Sequence, residues 1–189
     1  MPQPGRPHLL GIDDGPFEKQ RDRETPLVAV MMEGPDLVEG VAIRSFPIDG
    51  AGVTQFLGDW IGELRFRPAL QGIVLGGITM AGLAVLDAPL LARRLGLPVL
   101  VVNRKQPSDQ AVSEALRAAG LDERIDLLKA APPSVPAGDG LWVSFAGVEQ
   151  EAALALVRAS LGKSALPEPL RVAHLVAAAL VRGASRGRV

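Results

Sequence analysis

At 189 residues the chain is long enough for one unit with a full hydrophobic core, and length argues against two independent domains. Its 48% hydrophobic and 22% charged residues, with 21 glycines and 16 prolines, exclude wholesale disorder. With no cysteine and only His8 and His174, disulfide frameworks, thiolate nucleophiles and zinc hydrolases built on several histidines are excluded, whereas carboxylates holding Mg²⁺ or Mn²⁺ are not.

The run His8 to Asp13 reads as a buried strand that delivers Asp13 and Asp14 at its tip. After a polar loop, residues 27–33 and 37–46 read as two strands joined by Gly34-Pro35-Asp36, so three antiparallel strands open the fold. Val53, Phe56, Leu57, Trp60, Ile61 and Leu64 fall on one helix face. Gln71 to Leu75 predicts a buried strand ending at Gly76-Gly77. Asp87 caps a helix over 88–95 that Gly96 stops, and 97–103 is a strand apolar on both faces. A helix over 108–119 follows, then a proline-containing loop over 129–140 and a strand over 141–145. Two helices close the chain, one over 148–161. The other starts near Glu168-Pro169, with Val172, Leu175, Val176, Ala179 and Leu180 on one face and Arg171, His174 and Arg182 on another. The order describes a mixed α/β sheet, taken as one unit over 1–189 with a short basic tail over 183–189.

The longest apolar runs fall far short of the ~20 residues of a bilayer span, and the N-terminus lacks a signal-peptide pattern. The expectation is a soluble cytoplasmic protein without membrane partners. A net charge of −1 supplies no global field for a polyanion, so nucleic-acid binding would rely on a local patch. Charge is nevertheless segregated: residues 11–40 are mainly acidic, whereas Arg171, Arg182, Arg186 and Arg188 follow Glu168 with no acid between them.

Two adjacent carboxylates at a strand end repel each other, and a divalent cation would relieve that repulsion. The alternative for Asp13-Asp14 is a turn cap at Gly15-Pro16 beside a solvated carboxylate. Asp87 reads first as a helix cap and Asp49 as a turn residue, with metal ligation the second reading of each. Asn103-Arg104-Lys105 at the end of a central strand places two cations where α/β sheets bind ligands, or else they are solvated loop charges. His174 is a hydrogen-bonded structural residue or, with its arginine neighbours, part of an anion site. No phosphate-binding loop with a following Lys and Ser/Thr is present, and no GxSxG elbow.

The blocks LLGIDDGPF, FPIDGAGVTQFL, IVLGGITMAGLAVLDAPLLARRLGLPVLVVNRKQPS and LPEPLRVAHLVAAALVRGASRGRV resemble, in order, the endonuclease V-like family of uncharacterised, mostly archaeal proteins. The resemblance implies a ribonuclease H-like fold: three antiparallel strands followed by parallel strands, flanked by helices. Endonuclease V cleaves nucleic acid near deaminated bases with Mg²⁺ held by carboxylates. Gly11-Ile12-Asp13 matches its first strand, so the resemblance gives Asp13 a metal-ligand role, and Lys105 matches the lysine that follows a later strand. Gly76 stands where endonuclease V has a second ligand Asp. FPIDGAGVTQFL lacks both the family's base-recognition wedge and its catalytic Glu.

Three readings follow. One is a divalent-metal-dependent phosphodiesterase with Mg²⁺ or Mn²⁺ on Asp13 and Asp14, helped by Asp49 or Asp87, and with Lys105 stabilising the phosphate. Another is an inactive nucleic-acid-binding module that keeps Arg104, Lys105, Arg171, His174, Arg186 and Arg188. The third is a small-nucleotide or anion binder at Arg171 and His174. Arg171 is further expected to pair with an aspartate of the carboxylate cluster, with His174 as an outer hydrogen-bond partner.

Overall fold

Alternating apolar strands and amphipathic helices assemble into a seven-stranded mixed sheet with helices on both faces. The computed structural model describes residues 5–185, so Arg186 and Arg188 lie outside the described residues. Strands β1 (His8–Asp14), β2 (Glu24–Glu33) and β3 (Leu37–Pro47) form the expected antiparallel meander. Strand β4 (Gly72–Leu75) lies parallel to β1, and β7 (Val99–Asn103) parallel to β4. Strands β8 (Val135–Gly138) and β9 (Leu141–Ala146) complete the order β3-β2-β1-β4-β7-β9-β8, with β9 antiparallel to β7. The proline segment expected as loop thus supplies an edge strand, a place where Pro136 costs no central ladder bond. A small hairpin, β5 (Thr79–Met80) with β6 (Ala84–Val85), stands apart from the main sheet.

Successive strand side chains part to opposite faces and build two cores. Leu10, Ile12, Ile73, Leu75, Val99 and Val101 face α1 (Val53–Glu63) and α2 (Ala88–Leu95), meeting Leu57, Trp60, Ile61 and Leu91. Leu9, Val74, Leu100 and Val143 face α5 (Gln150–Ala159) and α6 (Glu168–Arg182). Helices α3 (Asp109–Ala118) and α4 (Ile125–Lys129) cover the β5–β6 hairpin through Leu116, Ile125 and Leu128. Among the described residues no helix is long and apolar enough to cross a membrane.

Helix α6 seats most deeply on its small residues. Its buried seam is Leu170, Ala173 and Ala177, not the larger aliphatic face, and Leu180 stands 50% exposed. The cause lies in β1: a Cβ at Gly11 would sit 2.1 Å from the carbonyl carbon of Pro169. The helix backbone therefore rests directly on the strand, and only small side chains fit between them.

Candidate active site

Strands β1, β4 and β7 run in the same direction, so their carboxyl ends lie side by side. This edge carries Asp13 and Asp14, then Gly76-Gly77, then Asn103-Arg104, the usual location of ligands in open α/β sheets.

Strand alternation sends the two aspartates to opposite faces. Asp13 follows Gly11 towards α6, where His174 Nδ1 lies 2.7 Å from its Oδ2. An ionised carboxylate only accepts, so Nδ1 carries the proton of this bond. Burial raises the Asp13 carboxyl above its ordinary value, and the hydrogen bond and charge of His174 oppose that rise. Asp14 follows Ile12 to the α1 side, towards the backbone of Ala81. Its carboxyl is pushed up to about 6, first by burial and then by the charge of Asp13.

A groove of about 350 Å³ opens on the α6 side, lined by Asp13, Gly76, Asn103, Arg104, Leu170 and His174 among others. A Cβ at Gly76 would lie 3.7 Å from Asp13 Oδ1 and 3.5 Å from a Leu170 methyl, an ordinary contact distance. The missing side chain leaves the groove floor beside Asp13 open. His174 holds one Asp13 oxygen, and the other faces this floor. The His174 side chain is 56% exposed and lines the groove.

The remaining expected site residues distribute differently. Asp49 is drawn away from Asp13: its Oδ1 accepts the Leu83 N–H at 2.7 Å, its Oδ2 meets Lys19 Nζ at 2.8 Å, and its carbonyl accepts from Arg124. These bonds fix the β5–β6 hairpin and hold Asp49 in the left-handed region at φ 55°. Asp87 caps α2, accepting the Leu90 N–H at 2.8 Å, so its carboxylate serves the helix. Among the described residues, Asp13, Asp14, Asp49 and Asp87 form no three-ligand cluster. Arg171 pairs with Glu168, not with an aspartate at the sheet edge: its Nε and Nη2 reach Glu168 Oε2 at 2.8 and 2.6 Å. Buried Glu168 lies three residues earlier on the same helix, a nearer countercharge than any strand-end carboxylate. Lys105 lies exposed beyond β7 and does not line the groove, whereas Arg104 does. Leu166 and Leu170, within the last block of the resemblance but given no role there, form apolar groove wall.

Residues 6–181 match the family described as endonuclease dU. The chain belongs to the endonuclease dU family. A UPF0215 protein of Pyrococcus furiosus is 39% identical over 181 residues, covering 94% of this chain and 93% of its own. Another, from Thermococcus kodakarensis, is 38% identical over 184 residues, covering 94% of each chain. The crystal structure of a protein of unknown function from Archaeoglobus fulgidus superposes with TM-score 0.86 at 33% identity, over 94% of this chain and all of that one. More distant in sequence is endonuclease V from Ciona intestinalis, solved with a 24mer DNA containing an inosine followed by a ribo-adenosine. It is 13% identical with TM-score 0.58, covering 89% of this chain and 82% of that one. Endonuclease V from Bacillus subtilis gives TM-score 0.60 at 12% identity, covering 93% and 81%. The endonuclease dU fold is accordingly ribonuclease H-like, as the motifs implied.

Proposed function

We propose that this endonuclease dU family member is a divalent-metal-dependent nucleic-acid phosphodiesterase whose active site is the groove at Asp13. The observation that carries the reading is the Asp13–His174 pair, a desolvated carboxylate with one oxygen fixed and the other open to a groove at the sheet's carboxyl edge.

The donor set fits one hydrated ion. Asp13 Oδ1 and the Asn103 side chain offer oxygen to the groove, and Gly76 leaves room for water, a pattern suited to Mg²⁺ or Mn²⁺ held by one or two protein oxygens and by substrate phosphate. Two ions sharing several carboxylates do not fit, because Asp14 leaves β1 on the opposite face. When bound, the ion would supply an acidified water and charge neutralisation at the phosphate. The chain's own groups do the rest. His174 fixes the rotation of the Asp13 carboxylate, and in this reading its other ring nitrogen exchanges a proton with the leaving oxygen. Arg104 offers charge-assisted hydrogen bonds to a phosphate in the groove, and Lys105 extends the cationic edge. Leu166 and Leu170 form an apolar wall that limits water on one side. Family membership favours deaminated bases, deoxyuridine first, as the target.

A panel of single-stranded, mismatched, inosine-containing and deoxyuridine-containing oligonucleotides with Mg²⁺ or Mn²⁺ tests the reading. The parent should cleave at least one member, and Asp13→Asn should abolish that cleavage while remaining folded. A second reading, a binding module without catalysis, is favoured by the single carboxylate facing the groove. Binding across the panel without cleavage under either metal would decide for it.

A further inference from the structure

At the opposite end of β1 from Asp13 stands a second group of metal-ligating side chains. His8 Nε2 lies 3.0 Å from Glu39 Oε2 and 3.9 Å from Glu33 Oε2. The three ligand atoms all fall within 4.8 Å of one another. Five residue steps along the strand at ~3.3 Å each put His8 and Asp13 roughly 16 Å apart, so the two sites are separate.

Strand pairing and one irregularity assemble the group. His8 pairs with Glu33 across β1–β2, and the β2–β3 register slips between Met31 and Met32, opposite Gly40 and Val38, so that Glu39 is the extra residue. A bulge re-aims the extra side chain, and here Glu39 turns to the face that carries His8. Outer contacts orient the donors. Arg6 Nε holds Glu33 Oε1 at 3.2 Å, leaving Oε2 towards His8, and the Gln71 side chain accepts the His8 backbone N–H at 2.9 Å. The His8 ring is only 13% exposed, and its Nδ1 is buried without a partner, so the polar business of this imidazole is confined to Nε2. Charge points the same way. Arg6 bonds both Glu33 and Asp36 while Glu39 meets only His8, so three carboxylates share one guanidinium and the group carries an excess of negative charge.

We propose that His8, Glu33 and Glu39 form a binding site for one divalent transition ion of the zinc class, which clips edge strand β3 to β2 and β1. Imidazole nitrogen and carboxylate oxygen are both zinc donors, and three protein ligands leave the fourth tetrahedral position open. The 3.0 and 3.9 Å separations bracket the roughly 3.3 Å donor spacing that a tetrahedron with Zn–ligand bonds of ~2.0 Å requires. The ion takes Nε2 in place of the Glu39 contact, and because protons compete with it for the imidazole and the carboxylates, binding weakens as pH falls. This site does not depend on the function proposed for Asp13.

The test is calorimetric titration of ZnCl₂ into the chelator-stripped full chain carrying Asp13→Asn, which removes the other candidate ligand, with thermal melting alongside. One ion per chain should bind and raise the melting temperature, and adding Glu39→Gln should weaken affinity by roughly tenfold or more. His8→Ala should abolish binding, and if that variant does not fold, Glu39→Gln carries the test from its partly exposed position. Absence of stoichiometric zinc binding, or binding that Glu39→Gln leaves unchanged, overturns the proposal and leaves the group an ordinary imidazole–carboxylate hydrogen bond.

Discussion

Replacing Asp14 by Asn should stabilise the metal-free protein at neutral pH and have little effect in acid. Between 3.8, the ordinary carboxyl value, and about 6, the folded state holds a proton on Asp14 that the unfolded chain has released. The folded state binds more protons in that window, so stability falls as pH rises through it. The interval corresponds to ~3 kcal/mol, a sum that includes the repulsion from Asp13. Asparagine keeps the shape and drops the charge, so the variant should lose this slope. Urea unfolding in EDTA at pH 4, 5.5 and 7.5 measures it directly. The variant's advantage should be close to zero at pH 4 and grow to as much as ~3 kcal/mol at pH 7.5, or ~6–12 °C in melting temperature for a chain of this size. An advantage equal at pH 4 and pH 7.5, or absent at both, would show that Asp14 is solvated and refute the desolvation argument.

Arg171→Ala leaves Glu168 buried and unpaired and should cost ~3–5 kcal/mol in urea unfolding. Mn²⁺ should not restore the loss, because the partner is Glu168; recovery with Mn²⁺ would place Arg171 at the Asp13 groove instead. Asp87→Ala should cost ~1 kcal/mol through the lost cap of α2 and leave any metal-dependent cleavage intact, whereas a folded variant without cleavage would return Asp87 to the ligand set. Gly11→Ala forces a Cβ against the Pro169 backbone and should cost at least ~1–3 kcal/mol as an overpacking substitution; a urea midpoint equal to the parent's would mean that α6 does not rest on β1.

Much of the fold was legible because it rests on local chemistry. The Asp87 cap, the Gly96 stop and the one-sided helix at Val53 each need only neighbouring residues, and all three stand as read. The segments that were missed depend on distant partners. Val135–Gly138 becomes a strand by pairing with β9, and the short α4 is held by Leu116 and Val85 across the hairpin. Which stripe of α6 is most deeply buried was not legible, because it is set by backbone approach at Gly11, which no helical periodicity reveals. Asp13 stood out as a strand-end carboxylate, yet grouping it with Asp14 took adjacency in sequence for adjacency in space. The period of two in a strand already separates them. The His8, Glu33 and Glu39 group had no sequence signature, since a bulge and two strand pairings bring it together.

The same close approach at Gly11 sets the geometry of the groove. Pro169 lies on Gly11, and from that point α6 runs alongside β1 in the same direction, meeting Gly15 at Val181. Two residues along the strand, from Gly11 to Asp13, advance ~6.6 Å. Five residues along the helix, from Pro169 to His174, advance ~7.5 Å. The two paths arrive nearly level, which is why an imidazole and a carboxylate 161 residues apart meet at 2.7 Å. A bulkier residue at position 11 would lift the helix by about the width of a methyl group and separate the pair before it disturbed either side chain's own surroundings. The glycine therefore acts at a distance on the groove, and the sequence GIDD encodes both the helix seat and the carboxylate that the helix comes to meet.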